Sequence, residues 1–105
     1  MKMYHTVATP EARDDLRRYV SYVKNVKKNL QAARSIVDDF EEVRKSLEIL
    51  AGTIGEPDSQ KLRDLRLKRI NFKKHDYFLL FMVEGDIAKI TNMFYAGEDF
   101  EKKLR

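Results

Sequence analysis

Between Leu62 and Phe81 the chain reads Leu62-Arg63-Asp64-Leu65-Arg66-Leu67-Lys68-Arg69-Ile70-Asn71-Phe72-Lys73-Lys74-His75-Asp76-Tyr77-Phe78-Leu79-Leu80-Phe81. A dense basic run passes directly into an aromatic-rich apolar run. From Lys61 to Lys74 seven basic residues face Asp64 alone, a net of +6, whereas the whole chain is +4. The other residues therefore sum to −2, and the basicity is local. Positive charge concentrated beside a strand points to an anionic partner, nucleic acid or an acidic protein.

Working outward, three strand-like runs follow one another: Leu67–Lys73, Tyr77–Val83 and Ile87–Tyr95. Glu84-Gly85-Asp86 forms a tight hairpin between the last two, and Lys73 to Asp76 joins the first two. Upstream, Gly52 to Gln60 holds Gly52, Gly55, Pro57, Asp58 and Ser59 and reads as a loop. It is no phosphate cradle, because Gly-Lys-Ser/Thr occurs nowhere in the chain. Before the loop, Leu30, Ala33, Ile36, Val37, Phe40, Val43, Leu47 and Leu50 recur at helical spacing behind Asn29 as cap. An earlier helix lines up Ala12, Leu16, Tyr19, Val20 and Val23, with Thr9 as N-cap and Pro10 in the first helical position. Asn25 to Asn29 separates the two helices. Met3 to Ala8 reads as a short strand, and Phe100 and Leu104 within Glu98 to Arg105 predict a short C-terminal helix.

The expected fold is α+β, strand-helix-helix-strand-strand-strand, as one domain over residues 1–105. The N-terminal strand is expected beside the last strand, with the helical hairpin on one face of the sheet. The other face stays partly open and carries alternate residues of the basic strand. Leu67, Arg69, Asn71 and Lys73 share one side, and Lys68, Ile70, Phe72 and Lys74 the other. Arg69 is the basic residue expected within a partly apolar surface, near Tyr77, Tyr95 or Phe81, where a guanidinium could hold a phosphate while a ring stacks on a base. The phenylalanines of these strands are expected in the core.

A chain without cysteine has neither disulfides nor thiolate metal sites. Tyr77 to Val83, the longest uncharged apolar run, is far shorter than the roughly 20 residues of a membrane span. The opening Met1-Lys2-Met3-Tyr4 has no apolar signal core, so a cytoplasmic protein without membrane contact is expected. His5 and His75 stand far apart without metal-ligand spacing, and neither a metal nor a cofactor is expected. His75 borders the basic strand and is a candidate acid or base. The neighbouring acids Asp14 and Asp15, Asp38 and Asp39, and Glu41 and Glu42 read as solvated helix faces.

Four features in order carry a resemblance: Tyr4-x-x-Val7-x-Thr9-Pro10-x-Ala12-x-x-Asp15-Leu16; Asn29-x-x-Ala32-Ala33; Arg69-Ile70-x-Phe72 followed by Tyr77-Phe78-Leu79-Leu80-Phe81; and Ile90-x-x-Met93-Phe94-Tyr95-x-x-x-Asp99-Phe100-x-x-x-Leu104. Together they span nearly the whole chain, which resembles the RelE/ParE superfamily of toxins from type II toxin–antitoxin modules. The resemblance implies a small sheet wrapped by a helical hairpin, a cognate antitoxin as partner, and inhibition of translation by cleavage of messenger RNA on the ribosome, with DNA gyrase as the alternative target. For messenger cleavage it implies a metal-independent endoribonuclease. Arg69 and Tyr95 would then be the catalytic positions, with Lys68, Lys73, Lys74 and His75 at the phosphate or RNA. Many relatives carry two basic residues before the aspartate of the last motif. Here Gly97 and Glu98 stand in their place, and a carboxylate repels the phosphate that an arginine attracts, which leaves gyrase inhibition or an inactivated relative as alternatives.

Overall fold

The computed structural model describes residues 2–104. Thr9 accepts a hydrogen bond from the Ala12 amide at 3.1 Å and starts helix α1 (Pro10–Asn25). Asn29 does the same for Ala32 at 3.0 Å and starts α2 (Leu30–Leu50). Each such cap is worth about 1 kcal/mol, and each was legible as a residue type. Between the helices Lys28 takes a φ of 57°, a left-handed step that turns the chain out of α1 and into the cap of α2.

Strand β1 (His5–Ala8) precedes the helices, and β2 (Lys68–Asn71), β3 (Tyr77–Glu84) and β4 (Ile87–Tyr95) follow them. The sheet order is β1-β4-β3-β2, with β1 parallel to β4 and the other neighbours antiparallel. The N-terminal strand thus lies beside the last one, as the sequence indicates. Gly85, with a φ of 62°, occupies the turn between β3 and β4, where a two-residue hairpin favours glycine.

Ile36, Phe40, Val43 and Leu47 of α2, with Ala12 of α1, pack on Leu79, Phe81, Ile90 and Met93 to make the main core. The opposite face is not open. A short helix α3 (Gln60–Asp64), capped by Ser59 through the Leu62 amide at 3.3 Å, brings Leu62 against Phe78, Leu80 and Phe94, and Leu67 and Leu104 join them. The basic run therefore contains its own apolar anchors at Leu62, Leu65 and Leu67, and burying these covers the second face of the sheet. The C-terminal segment forms only a 3-10 turn (Phe100–Lys103), whose Phe100 stacks edge-on against Phe78 at 5.2 Å. Arg105, at the end of the expected helix, lies outside the described residues.

Two acids depart from the surface reading: Asp15, whose carboxylate accepts an amide of β4, and above all Asp39. Asp39 is 2% exposed, and its carboxylate accepts the amides of Lys73 (3.1 Å), Lys74 (2.8 Å) and His75 (3.1 Å). It lies three residues after Ile36 and four before Val43, on the apolar face of α2. The helical spacing that identifies the core therefore also contained this signal.

Candidate functional site

Strand β4 changes the side it presents partway along. Leu80 pairs with Asn92 and Phe81 with Ile90, so Thr91 is an extra residue in the ladder. A bulge inverts the alternation beyond it. Ala88 and Ile90 before the bulge, and Met93 after it, all face the helices. Tyr95 follows Met93 on that side and pairs across the ladder with Tyr77. Arg69 pairs with Leu80 on the other side. The expected neighbourhood of Arg69 with Tyr77 and Tyr95 is therefore not formed: the sheet separates them.

At the helix-facing end, β4 extends beyond the reach of β1 and side chains satisfy its exposed amides. Asp15 of α1 accepts the Met93 amide at 3.0 Å. The Tyr95 amide is shared between Glu98, at 2.8 Å, and the Tyr19 hydroxyl, at 3.2 Å. The Tyr19 hydroxyl in turn donates to Glu98, and Lys103 pairs with the same carboxylate. Burial pushes the Glu98 carboxyl up, but the hydrogen bonds from Lys103, Tyr19 and the Tyr95 amide outweigh it and hold the group below its ordinary value. Burial and the Glu98 hydrogen bond raise Tyr19 far above the usual range of a phenol. Burial, followed by the proximity of Tyr95 and Glu98, raises Tyr77 as well. Both hydroxyls are therefore held in the protonated form at neutral pH, and that of Tyr19 donates to Glu98 while accepting the Tyr95 amide.

Around this cluster opens a cleft of about 640 Å³ lined by Arg18, Tyr19, Tyr22, Val23, Lys27, Tyr77, Tyr95, Glu98 and Lys103. Tyr77 stacks edge-on between Tyr19 at 5.0 Å and Tyr95 at 5.6 Å. Tyr22 and Tyr95 keep 50% and 46% of their surface exposed, so their rings are open to a ligand. The site is a basic cleft walled by tyrosines, suited to holding a planar or anionic group.

The other sequence-derived candidates are dispersed. The Arg69 guanidinium lies 3.8 Å from the centre of the Phe78 ring and its Nε donates to Asn71 at 2.9 Å. Burial lowers its pKa. It lines a separate crevice that also holds Glu56, Asp58 and Glu101. Lys68 is half-buried on β2, opposite Phe81 and on the helix-facing side. Lys73 and Lys74 are exposed on the turn that Asp39 holds by its amides. That turn adjoins the Tyr95 end of β4, since the Ala96 amide donates to the Asp76 carbonyl at 2.8 Å. The His75 ring shares a hydrogen bond of 2.9 Å with the Ser35 hydroxyl, its direction set by the tautomer. Of the expected site residues only Tyr95 reaches the cleft. Tyr19, Tyr22, Arg18, Lys27 and Lys103 were not singled out from the sequence. Arg18 and Tyr22, four apart on α1, were the available signal.

No family model matches the chain, and no curated protein matches its sequence. Among solved structures, a chain of the one described as "Chromosomal ParDE TA system from P. aeruginosa" superimposes with a TM-score of 0.71. It is 20% identical, and the match covers 89% of this chain and 96% of that one. The fold is therefore shared over nearly the whole length of both.

Proposed function

We propose that this chain is the toxin of a type II toxin–antitoxin pair, acting in the cytoplasm and held in check by a cognate antitoxin. The observation that carries the reading is the fold shared with a chain of a toxin–antitoxin system over 89% of this sequence. The ordered RelE/ParE-like motifs from Tyr4 to Leu104 add to it. The decisive experiment is production of the chain alone and together with its antitoxin. Growth arrest that the antitoxin relieves supports the proposal, and harmless accumulation of folded protein in a sensitive host overturns it.

Between the two targets, we favour a toxin that blocks DNA gyrase over one that cleaves messenger RNA. A nuclease of the kind the resemblance implies needs Arg69 and Tyr95 around one phosphate, and here they lie on opposite faces of the sheet. Arg69 is stacked on Phe78 and shares its crevice with three carboxylates, a poor setting for a phosphoryl oxygen that gathers charge. One observation favours the second reading: Tyr95 opens onto a basic cleft where a nucleotide ring could stack. Purified chain added to a gyrase supercoiling assay and to translating ribosomes separates the two. Loss of supercoiling with intact messenger supports gyrase, and cleaved messenger reverses the choice.

A further inference from the structure

The geometry points to the tip of the helical hairpin, where α1 turns into α2, as a site that docks on the surface of an anionic lipid bilayer. From Leu16 to Val37 the chain holds six basic residues and no acid. Arg17 and Arg18, at the base of this stretch, are paired with Asp14 and Asp15. Lys24, Lys27, Lys28 and Arg34 have no carboxylate partner among the described residues, and every residue from Lys24 to Leu30 is exposed. Two aliphatic side chains stand among these cations. Val26, on the turn, is 61% exposed, more than any other large apolar residue described, and Leu30, the first residue of α2, is 47% exposed. Apolar groups gathered in a basic rim mark a surface that is covered by something else.

The turn is tied down in the conformation that presents them. The amides of Val26 and Lys27 both donate to the Tyr22 carbonyl, at 2.9 and 3.1 Å, and that of Asn29 donates to the Val23 carbonyl at 3.1 Å. With Lys28 at a φ of 57°, the chain reverses here without folding Val26 inward. Val26 stands outside the tyrosine cleft, at the end of the hairpin. A protruding aliphatic group ringed by cations matches a surface that it can enter. Acyl chains take up the apolar side chains, and anionic headgroups attract the ammonium groups. A dissolved polyanion supplies the second interaction and not the first. No helix among the described residues is long and apolar enough to cross a membrane, and lying on one requires no such helix. The inference departs from the sequence expectation of no membrane contact and keeps that of no spanning segment. With two aliphatic anchors the attachment is weak and reversible, and the charges carry much of it.

The inference is independent of the toxin reading and is tested on the purified full chain without antitoxin, gyrase or ribosome. Vesicles of phosphatidylglycerol and phosphatidylcholine in equal parts, at millimolar lipid, should carry the chain down on centrifugation, and phosphatidylcholine alone should leave it in solution. Each lysine near an anionic surface contributes about fivefold in affinity, so Lys24→Ala and Lys28→Gly together should weaken binding about 25-fold. Val26→Ser combined with Leu30→Ser should weaken it about tenfold, which a purely electrostatic attachment would not show. All four positions are exposed, so the thermal midpoint should stay nearly unchanged. Because the chain has no tryptophan, Val26→Trp places a single reporter at the tip, and its emission should shift to shorter wavelength on the anionic vesicles. The inference is overturned if anionic vesicles bind no chain at millimolar lipid, if phosphatidylcholine binds it equally, if the serine variant binds like the parent, or if the tryptophan emission is the same on vesicles as in buffer. A glutamate-rich peptide that binds the parent more tightly than the vesicles do assigns the tip to an acidic protein and overturns it as well.

Discussion

The Tyr19 hydroxyl donates to the Glu98 carboxylate across 79 positions of sequence, and both meet at the amide of Tyr95. This contact ties α1 to the end of β4 and shapes the floor of the tyrosine cleft. Glu98 stands where the family resemblance leads one to expect a basic residue. Its charge is not left to repel a ligand, because Lys103 and two further donors compensate it.

Tyr19→Phe should lower stability by about 1.5–3 kcal/mol, the range for losing a hydrogen bond to a charged group. The ring packing on Tyr77 is kept, so the loss isolates the hydroxyl. Urea denaturation of parent and variant gives the number, and a change under 0.5 kcal/mol would show the contact to be ornamental.

The same cluster sets an acid dependence. The folded pKa of Glu98 lies below its unfolded value, so its contribution is fully present above the unfolded value near 4.5 and disappears as pH falls through the folded value. Unfolding midpoints measured from pH 7 down to pH 3 should fall more steeply for the parent than for Glu98→Gln. Parallel curves would remove Glu98 as the cause.

Asp39→Ala should be among the most destabilising single changes on α2, costing about 2–4 kcal/mol, because three turn amides lose a charged acceptor inside the protein. Hydrogen exchange at Lys73, Lys74 and His75 should accelerate in the variant. A neighbour, Asp38, is exposed, and Asp38→Ala should change stability by less than about 0.5 kcal/mol.

Because Arg69 and Tyr95 lie on opposite faces, Arg69→Ala and Tyr95→Ala should combine additively in stability, to within about 0.5 kcal/mol. Arg69→Ala alone should remove the stacking on Phe78, worth about 0.5–2 kcal/mol. A measured coupling above 1 kcal/mol would mean that the two sides of the sheet communicate.

Gly97→Ala should reshape the cleft with little effect on folding. A Cβ at Gly97 would sit 2.7 Å from Cε2 of Tyr95, so the ring must move, and it is exposed enough to do so. The expected result is altered tyrosine fluorescence with a thermal midpoint nearly unchanged. A large drop in midpoint would show instead that the Tyr95 ring is held in place.

From the sequence alone came the order of the four strands and two long helices, the caps of α1 and α2, the Gly85 hairpin and the place of β1 beside β4, but not α3. Each depends on neighbours close in the chain, or on a strand needing an edge, and periodicity reports such constraints directly. The alternation of β2 was legible too: Arg69 and Asn71 share one face, and Ile70 and Phe72 the other. What lies against each face was decided only by tertiary structure. The bulge at Thr91 turns Tyr95 toward the helices, α3 and Phe100 cover the side that holds Arg69, and Asp39 meets a turn 34 to 36 residues away. The Tyr19, Glu98 and Lys103 cluster was equally hidden, since residues 79 positions apart leave no periodic trace. Local spacing fixes which way a side chain leaves the backbone, whereas its partner is set by packing among elements distant in sequence, and the candidate site is made almost entirely of such partners.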